Sequence, residues 1–183
     1  MAANNGQTAS IATMVRRRVL IGAAMATGGL AVAVSGTAAG AERKTADVVT
    51  KESDALRTSL HQEWEFRASP QRIYHTLLDS KQFSAFSGEA AAISPEVGGA
   101  FSLFGSRIEG RNVELVSDRR IVQAWRPASW KPGVYSIAEF EFAGDAGKTR
   151  VILDHTGFPQ GLFRELESGW REHYQQRLEK FLT

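Results

Sequence analysis

The chain has 183 residues, of which 43% are hydrophobic, enough for one packed domain and a leader. The formal net charge is +2, but residues 1–41 contain three arginines and no acid, and the remainder has 19 basic and 20 acidic residues. Such a nearly neutral body offers no broad phosphate-binding surface, so nucleic acid is not an expected partner. The lack of cysteine excludes disulfides, thiolate metal ligands and cysteine nucleophiles.

The first segment of the chain has the layout of an export signal. A polar start is followed by Arg16 and Arg17 and then by Val19–Val34, an apolar run rich in alanine and glycine. Ala39 and Ala41 form a small-residue cleavage site of the A-x-A type. An arginine pair ahead of a mildly apolar run is typical of signals that the twin-arginine export machinery reads.

We therefore predict a twin-arginine signal peptide over residues 1–41, a polar linker over 42–58 and one domain over 59–183. The mature protein is expected to be periplasmic or otherwise exported. The alternative is a membrane anchor formed by the uncleaved leader. It is less expected because the apolar run has 16 residues, including three glycines, whereas a membrane-spanning helix needs about 20.

The domain begins with a predicted strand and two short helices. Residues 60–66 alternate between apolar and polar side chains, which predicts a strand with one wet face. Ser69 and Pro70 are a suitable N-cap and first residue for a helix that runs to Leu78. A second short helix is predicted within residues 79–88, with an N-cap at its start and a glycine at its end.

Strands separated by turns follow from residue 91 to residue 156. In one of them Ile121, Gln123 and Trp125 share a face, which we expect to point inward; an inward amide needs hydrogen-bond partners. Beyond Pro159 the apolar residues recur every three to four positions, which predicts one long amphipathic helix. The members of its apolar stripe are Leu166, Trp170, Tyr174, Leu178 and Phe181 or Leu182.

Several segments resemble one known family. The stretch from Trp125 to Ser136 reads WRPASWKPGVYS, and its WR-x3-W-x-x-G-x-YS spacing resembles the signature of the activator of Hsp90 ATPase homologue 1 domain. That family lies within the START/Bet v 1-like (SRPBCC) superfamily. Further segments resemble the family's early helix, paired strands, last strand and closing helix; they are Asp79–Gly88, Gly98–Phe104, Ile108–Val116, Thr149–Pro159 and Gly169–Tyr174. The resemblance covers Leu60–Leu182.

The element order and the resemblance imply the same α+β architecture, a helix-grip fold. In this fold a curved antiparallel sheet is wrapped around a long C-terminal helix, and two short helices follow the first strand. The physical reason is that an amphipathic helix has one apolar face to bury. The inner face of the sheet is the only large surface available for it.

A sheet wrapped around a helix tends to leave a space near the ends of the helix, and such pockets are mostly apolar with a few polar groups. The candidate ligand-binding residues are Phe101, Ile121, Gln123, Trp125, Ala138, Phe140, Leu153, His155, Trp170 and Tyr174. Alternatives stay open for each kind. Gln123 either contacts a ligand or is satisfied by protein or water, and the aromatic residues either line a pocket or are core. His155 is either a core histidine hydrogen-bonded to the backbone or a catalytic base.

No residue is nominated as catalytic, and no metal or cofactor is expected. The four histidines lack metal-ligand spacing, and the chain has no nucleophile elbow, phosphate loop or dinucleotide fingerprint. We therefore expect an exported module that binds an apolar or amphipathic small molecule without evident catalysis, although other superfamily members use the cavity as enzymes. The resemblance implies an alternative, a co-chaperone-like protein that stimulates an Hsp90-type ATPase. Export argues against that partner, because it would separate the chain from cytoplasmic Hsp90 and ATP.

Overall fold

The computed structural model describes residues 53–183, and within them seven antiparallel strands form one sheet. The strands are β1 (Ser59–Phe66), β2 (Ala92–Ile93), β3 (Ala100–Leu103), β4 (Ile108–Val116), β5 (Arg120–Pro127), β6 (Ser136–Gly144) and β7 (Thr149–Thr156). Their order across the sheet is β1-β7-β6-β5-β4-β3-β2. The first and last strands therefore pair, and the predicted helix-grip fold with its curved antiparallel sheet is confirmed.

The helices are α1 (Pro70–Leu78), α2 (Ser80–Ser87), α3 (Phe163–Gly169), a π-helical turn (Trp170–Gln175) and α4 (Gln176–Leu182). The last three follow one another without a break, and we refer to them together as the closing helix. The predicted signal peptide and the first part of the predicted linker lie outside the described residues. Within residues 53–183 no helix is both long and apolar enough to cross a membrane.

The two short helices are capped by side chains that the sequence places at their starts. The Ser69 side chain accepts a hydrogen bond from the backbone N–H of Arg72 at 3.2 Å, and the Asp79 side chain accepts one from Gln82 at 2.8 Å. These bonds satisfy backbone donors that a helix start leaves unpaired. Helix α2 is capped at its C-terminal end by Gly88, whose φ of 74° is the left-handed conformation that favours glycine at this position.

Alternation along the strands decides which face of the sheet meets the closing helix. On β5 and β6, Ile121, Trp125, Ala138 and Phe140 are all at most 4% exposed, whereas Ile137 is 39% exposed. The two strands pair Ile121 with Phe140 and Gln123 with Ala138, so the inward side chains stand side by side. This is the period of two expected for strands with one buried face.

The closing helix keeps its apolar stripe on the sheet by widening in the middle. The stripe residues are 8% exposed or less; they are Leu166, Trp170, Tyr174, Leu178 and Leu182. A strict four-residue spacing drifts by about 40° per step on a helix of 3.6 residues per turn. A π-helical turn, with its i→i+5 hydrogen bonds, takes more residues per turn and offsets this drift. The turn covers Trp170 and Tyr174, the aromatic centre of the stripe.

Candidate ligand-binding cavity

A cavity of about 520 Å³ lies between one end of the sheet and the closing helix. The sheet side of its wall comes from the end of β5, the loop that follows and the turn between β3 and β4. The helix side comes from residues between Glu165 and Tyr174. Its large aromatic and aliphatic wall residues are Phe104, Ile108, Trp125, Leu166, Trp170 and Tyr174. The volume lies within the range of about 300–1,000 Å³ that is common for small-molecule sites.

Three of the predicted site residues meet in an aromatic stack that forms part of this wall. The ring centroid of Trp170 lies 5.3 Å from that of Trp125 and 4.4 Å from that of Tyr174. Each of the three side chains is at most 5% exposed. Ring distances of this size add to the stability that burial provides. The stack therefore belongs to the hydrophobic core and also lines the cavity.

His155 lies behind the stack and does not line the cavity. The Trp170 Nε1–H donates to His155 Nδ1 at 2.9 Å, and Nδ1 must be unprotonated because indole is only a donor. The other nitrogen, Nε2, then carries the hydrogen and donates to the Ser136 hydroxyl at 2.6 Å, which donates to the Trp125 carbonyl at 2.9 Å. Burial lowers the pKa of His155 to about 3. The ring is therefore neutral and fully paired, as expected of a core histidine.

Gln123 points inward, but its amide is bonded to protein. Its Nε2 donates to Asn112 Oδ1 at 3.0 Å, and Asn112 Nδ2 donates to the Ser94 carbonyl at 2.9 Å. Both amides are buried, at 6% and 1% exposure. Two alternatives were left open for Gln123: contact with a ligand, or hydrogen bonds to protein or water. The geometry favours the second, because the amide is bonded to Asn112 and Gln123 is not part of the cavity wall.

The remaining predicted site residues are core side chains outside the cavity wall. They are Phe101, Ile121, Ala138, Phe140 and Leu153, each at most 4% exposed. The ring of Phe140, for example, lies 5.6 Å from that of Trp170 and 6.3 Å from that of Tyr174. Aromatic rings of the closing helix thus cover this part of the sheet. Any ligand contact by these five residues stays a prediction.

The turn between β3 and β4 contributes a wall residue that the sequence analysis missed. Phe104, Gly105 and Ser106 all have positive φ, at 53°, 64° and 71°. This left-handed conformation costs about 1–2 kcal/mol for a residue other than glycine. It places the Phe104 ring 5.4 Å from that of Tyr174, where it is only 4% exposed, so burial offsets the strain. The glycine between two strand patterns was the only sequence signal for this turn.

Arg126 holds the loop after β5 in place, which explains the spacing of the WR-x3-W signature. Its Nη1 lies 2.7 Å from Glu109 Oε1, and its Nη2 donates to the Trp130 carbonyl at 2.7 Å. The guanidinium also lies 5.7 Å from the centre of the Tyr135 ring. The Trp130 ring in turn packs edge-on against Trp125 at 6.1 Å. The signature residues thus fix one side of the cavity.

The polar atoms of the stack are donors at neutral pH. The Trp125 Nε1–H is buried and makes no hydrogen bond of regular geometry, but it is close enough to the Tyr174 hydroxyl to interact with it. Burial raises the pKa of Tyr174, and the neighbouring Trp125 lowers it by a smaller amount, so the phenol keeps its proton. The part of the chain that the structure describes contains no group of three or more side chains able to hold a metal ion.

The fold and the cavity define the class of protein: a helix-grip domain whose sheet and closing helix enclose an aromatic pocket. Residues 67–183 match the family described as "Activator of Hsp90 ATPase homolog 1-like protein". The chain belongs to this family, as its resemblance to the signature implied.

Two relatives illustrate the relationship at the sequence level. The Dictyostelium discoideum "Activator of 90 kDa heat shock protein ATPase homolog" is 35% identical over 116 residues, which are 62% of this chain and 30% of that protein. The Mus musculus "Activator of 90 kDa heat shock protein ATPase homolog 2" is 29% identical over 119 residues, 64% of this chain and 36% of that protein. The chain therefore matches about a third of the length of these relatives.

A solved structure extends the comparison to three dimensions. The crystal structure of an Hsp90 activator from Plasmodium falciparum has a TM-score of 0.66 and 25% sequence identity, and the match covers 69% of this chain and 96% of that one. The two share the helix-grip architecture over nearly the whole of the Plasmodium chain.

Proposed function

We propose that this protein is a binding module that holds an apolar or amphipathic small molecule in the cavity beside the closing helix. The observation that carries the proposal is the cavity of about 520 Å³ with Trp125, Trp170 and Tyr174 in its wall. Clefts of this size with aromatic walls and a few polar groups are where proteins commonly bind small ligands.

The protonation states around the stack favour binding over catalysis. His155 is neutral because burial lowers its pKa to about 3, and both of its nitrogens are occupied by protein. Tyr174 is held in its protonated form because burial raises its pKa. Neither group is poised to take up a proton at neutral pH.

The proposal can be tested by filling the cavity from the closing helix. Gly169 lines the cavity, and a Cβ atom at this position would meet no atom within 4 Å. Gly169→Phe should therefore place a ring in the cavity and weaken binding at least about tenfold, the equivalent of about 1.4 kcal/mol. The measurement is a titration of the full chain with diphenylhexatriene, a neutral rod-shaped probe that fluoresces in apolar surroundings.

Gly169→Ala is the matched control. Alanine adds one methyl group and should raise the free energy of unfolding by about 0.5–1 kcal/mol, because glycine is a poor helix former. Probe affinity should remain close to that of the wild type. Binding by Gly169→Phe that equals the wild type, or a wild type that does not bind the probe, would contradict a ligand site in this cavity.

We also propose that the chain is exported by the twin-arginine route. The support is the arginine pair at Arg16 and Arg17 and the small-residue site at Ala39 and Ala41. Replacing the leader arginines with lysine should abolish processing and retain the protein in the cytoplasm, measured by cell fractionation. Undiminished processing would show that the general export pathway suffices.

A second candidate function is regulation of an Hsp90-type ATPase. It is favoured by the relatives in Dictyostelium and mouse, which are named activators of this ATPase. The expectation that such a partner is unlikely was based mainly on predicted export, and these relatives do not fit it. The test is ATP turnover by an Hsp90-type chaperone with and without the full chain. If the wild type and Gly169→Phe stimulate ATP turnover equally, the stimulation comes from the protein surface and not from the cavity. If neither stimulates turnover, ligand binding remains as the proposed function.

A further inference from the structure

Two carboxylates stand at the mouth of the cavity on one face of the closing helix. Glu165 and Glu172 are seven residues apart, about two helical turns, and both line the cavity together with Ser168 and Gly169 between them. Both side chains are exposed. Neither forms an ion pair within residues 53–183, whereas Arg164 on the same helix is paired with Glu167. The two charges are therefore available to a ligand.

The basic side chain in the cavity wall does not neutralise them. Arg107 Nη2 lies 2.6 Å from Glu89 Oε1, so its guanidinium is held in an ion pair away from the two carboxylates. Glu89 is also 3.9 Å from Arg177. His173 lines the cavity with an exposed ring packed against Phe104 at 6.0 Å. The cavity wall therefore carries two carboxylates, Glu165 and Glu172, and one guanidinium, which is held by Glu89 and not by either of them.

The wall behind the mouth consists of aromatic rings, which attract cations. The stacked rings of Trp125, Trp170 and Tyr174 and the ring of Phe104 present apolar surface to the cavity. An ammonium group near the face of an aromatic ring gains about 0.5–1 kcal/mol where it is exposed, which corresponds to about a two- to fivefold increase in affinity. The two carboxylates add a further attraction, which salt screens.

We propose that the cavity takes an organic cation, with a flat apolar body against the aromatic stack and an ammonium group at the mouth near Glu165 and Glu172. This inference rests on the proposed ligand-binding function and names the class of ligand. Anionic ligands should be disfavoured because the same carboxylates repel them. Hydrophobic burial of the ligand body supplies most of the binding affinity. The positive charge of the ligand supplies its preference over neutral and anionic ligands.

The test uses three probes that share one body: diphenylhexatriene, its trimethylammonium derivative and its propionate derivative. Each is titrated into the full chain at low salt and followed by fluorescence. We expect the cationic probe to bind about five- to tenfold more tightly than the neutral one and the anionic probe to bind more weakly than either. The preference should shrink at high salt.

The variant Glu165→Gln/Glu172→Gln should weaken binding of the cationic probe and so reduce its preference over the neutral probe to at most the about two- to fivefold that the aromatic rings supply. Both side chains are exposed, so the variant should fold normally. Glu179→Gln is the matched control, because Glu179 is exposed on the same helix and lies outside this cavity.

The outcomes separate this inference from the function on which it rests. Equal affinities for the three probes, or tighter binding of the anion, would overturn the cation preference and leave the ligand-binding function standing. A cation preference that is undiminished in the double variant would also overturn it, because the carboxylates would then not contribute to it. No binding of any probe would refute the binding function itself.

Discussion

On one side of the Trp170 ring, the indole N–H is bonded to His155, which is bonded in turn to Ser136. On the other side lies the cavity, bordered by Gly169, whose added Cβ would meet no atom within 4 Å. The first side, which we call the sealed side, has its polar atoms paired and its imidazole neutral. The second, the open side, carries the left-handed turn that starts at Phe104.

This contrast shows how one aromatic stack serves both folding and binding. Paired polar groups on the sealed side fix a single arrangement of the helix on the sheet, since breaking any of the bonds leaves a buried group unsatisfied. On the open side, the left-handed turn at Phe104 and Ser106 is a strain that the fold retains. Substitutions on the sealed side should therefore change stability with little effect on binding, whereas substitutions that fill the cavity on the open side should change binding.

The largest expected effect on stability comes from removing the Trp170 ring, which lies between the sealed side and the open side. Trp170→Ala should lower the free energy of unfolding by about 3–5 kcal/mol, out of about 5–15 kcal/mol for a typical domain. Glu167→Ala, off the apolar stripe, should change it little. Urea unfolding followed by circular dichroism makes the measurement. Equal effects from the two variants would contradict the buried stripe.

Acid should weaken the sealed side through His155. Because burial lowers its pKa to about 3 from an ordinary 6.5, the unfolded chain takes up the proton first as the pH falls. The His155 contribution is therefore complete above pH of about 6.5 and falls by about 1.4 kcal/mol per pH unit below it, or about 2 kcal/mol at pH 5.

Urea unfolding at pH 7.5 and pH 5 measures this slope. His61 acts in the opposite direction, because the Asp154 carboxylate raises its pKa and its contribution is lost as the pH rises. The comparison is therefore made in a His61→Gln background. An NMR titration in which the His155 ring takes up a proton near pH 6.5 would contradict the burial of this imidazole on the sealed side.

A substitution at Gln123 tests whether this residue belongs to the sealed side or to the ligand-binding cavity. Gln123→Leu removes the donor to Asn112 Oδ1 and leaves a buried acceptor unpaired, so the free energy of unfolding should fall by about 1–3 kcal/mol. Affinity for diphenylhexatriene should not change. Unchanged stability with weaker binding would move Gln123 into the ligand site.

The smallest expected effect is at the strained turn on the open side. Ser106→Gly should raise the free energy of unfolding by up to about 1 kcal/mol, because glycine adopts positive φ without strain. The variant also loses a 3.0 Å hydrogen bond to Ser102, so Ser102→Ala, which loses only that bond, is the control. A Ser106→Gly variant less stable than Ser102→Ala would show that the turn carries no strain.

Much of the fold could be predicted because its signals are local. Ser69 and Asp79 act as caps at the positions where their residue types predict helix starts. The alternation at Ile121, Gln123 and Trp125 identified the buried face of β5. The apolar stripe from Leu166 to Leu182 predicted a helix against the sheet, and no other large apolar surface was available to cover it.

The position of the cavity was not predictable in the same way. Periodicity indicates which side of a strand faces inward, but it does not tell how closely another element approaches. Trp125 and Phe140 have the same inward pattern, yet Trp125 lines the cavity, whereas Phe140 is core outside its wall and packs against Trp170. The π-helical turn, which brings the Trp170 ring against Trp125 and Phe140, follows from packing of the helix on the sheet. The left-handed conformation of Phe104 likewise depends on the burial of its ring. Both features are set by contacts between residues far apart in the chain, which local patterns do not encode.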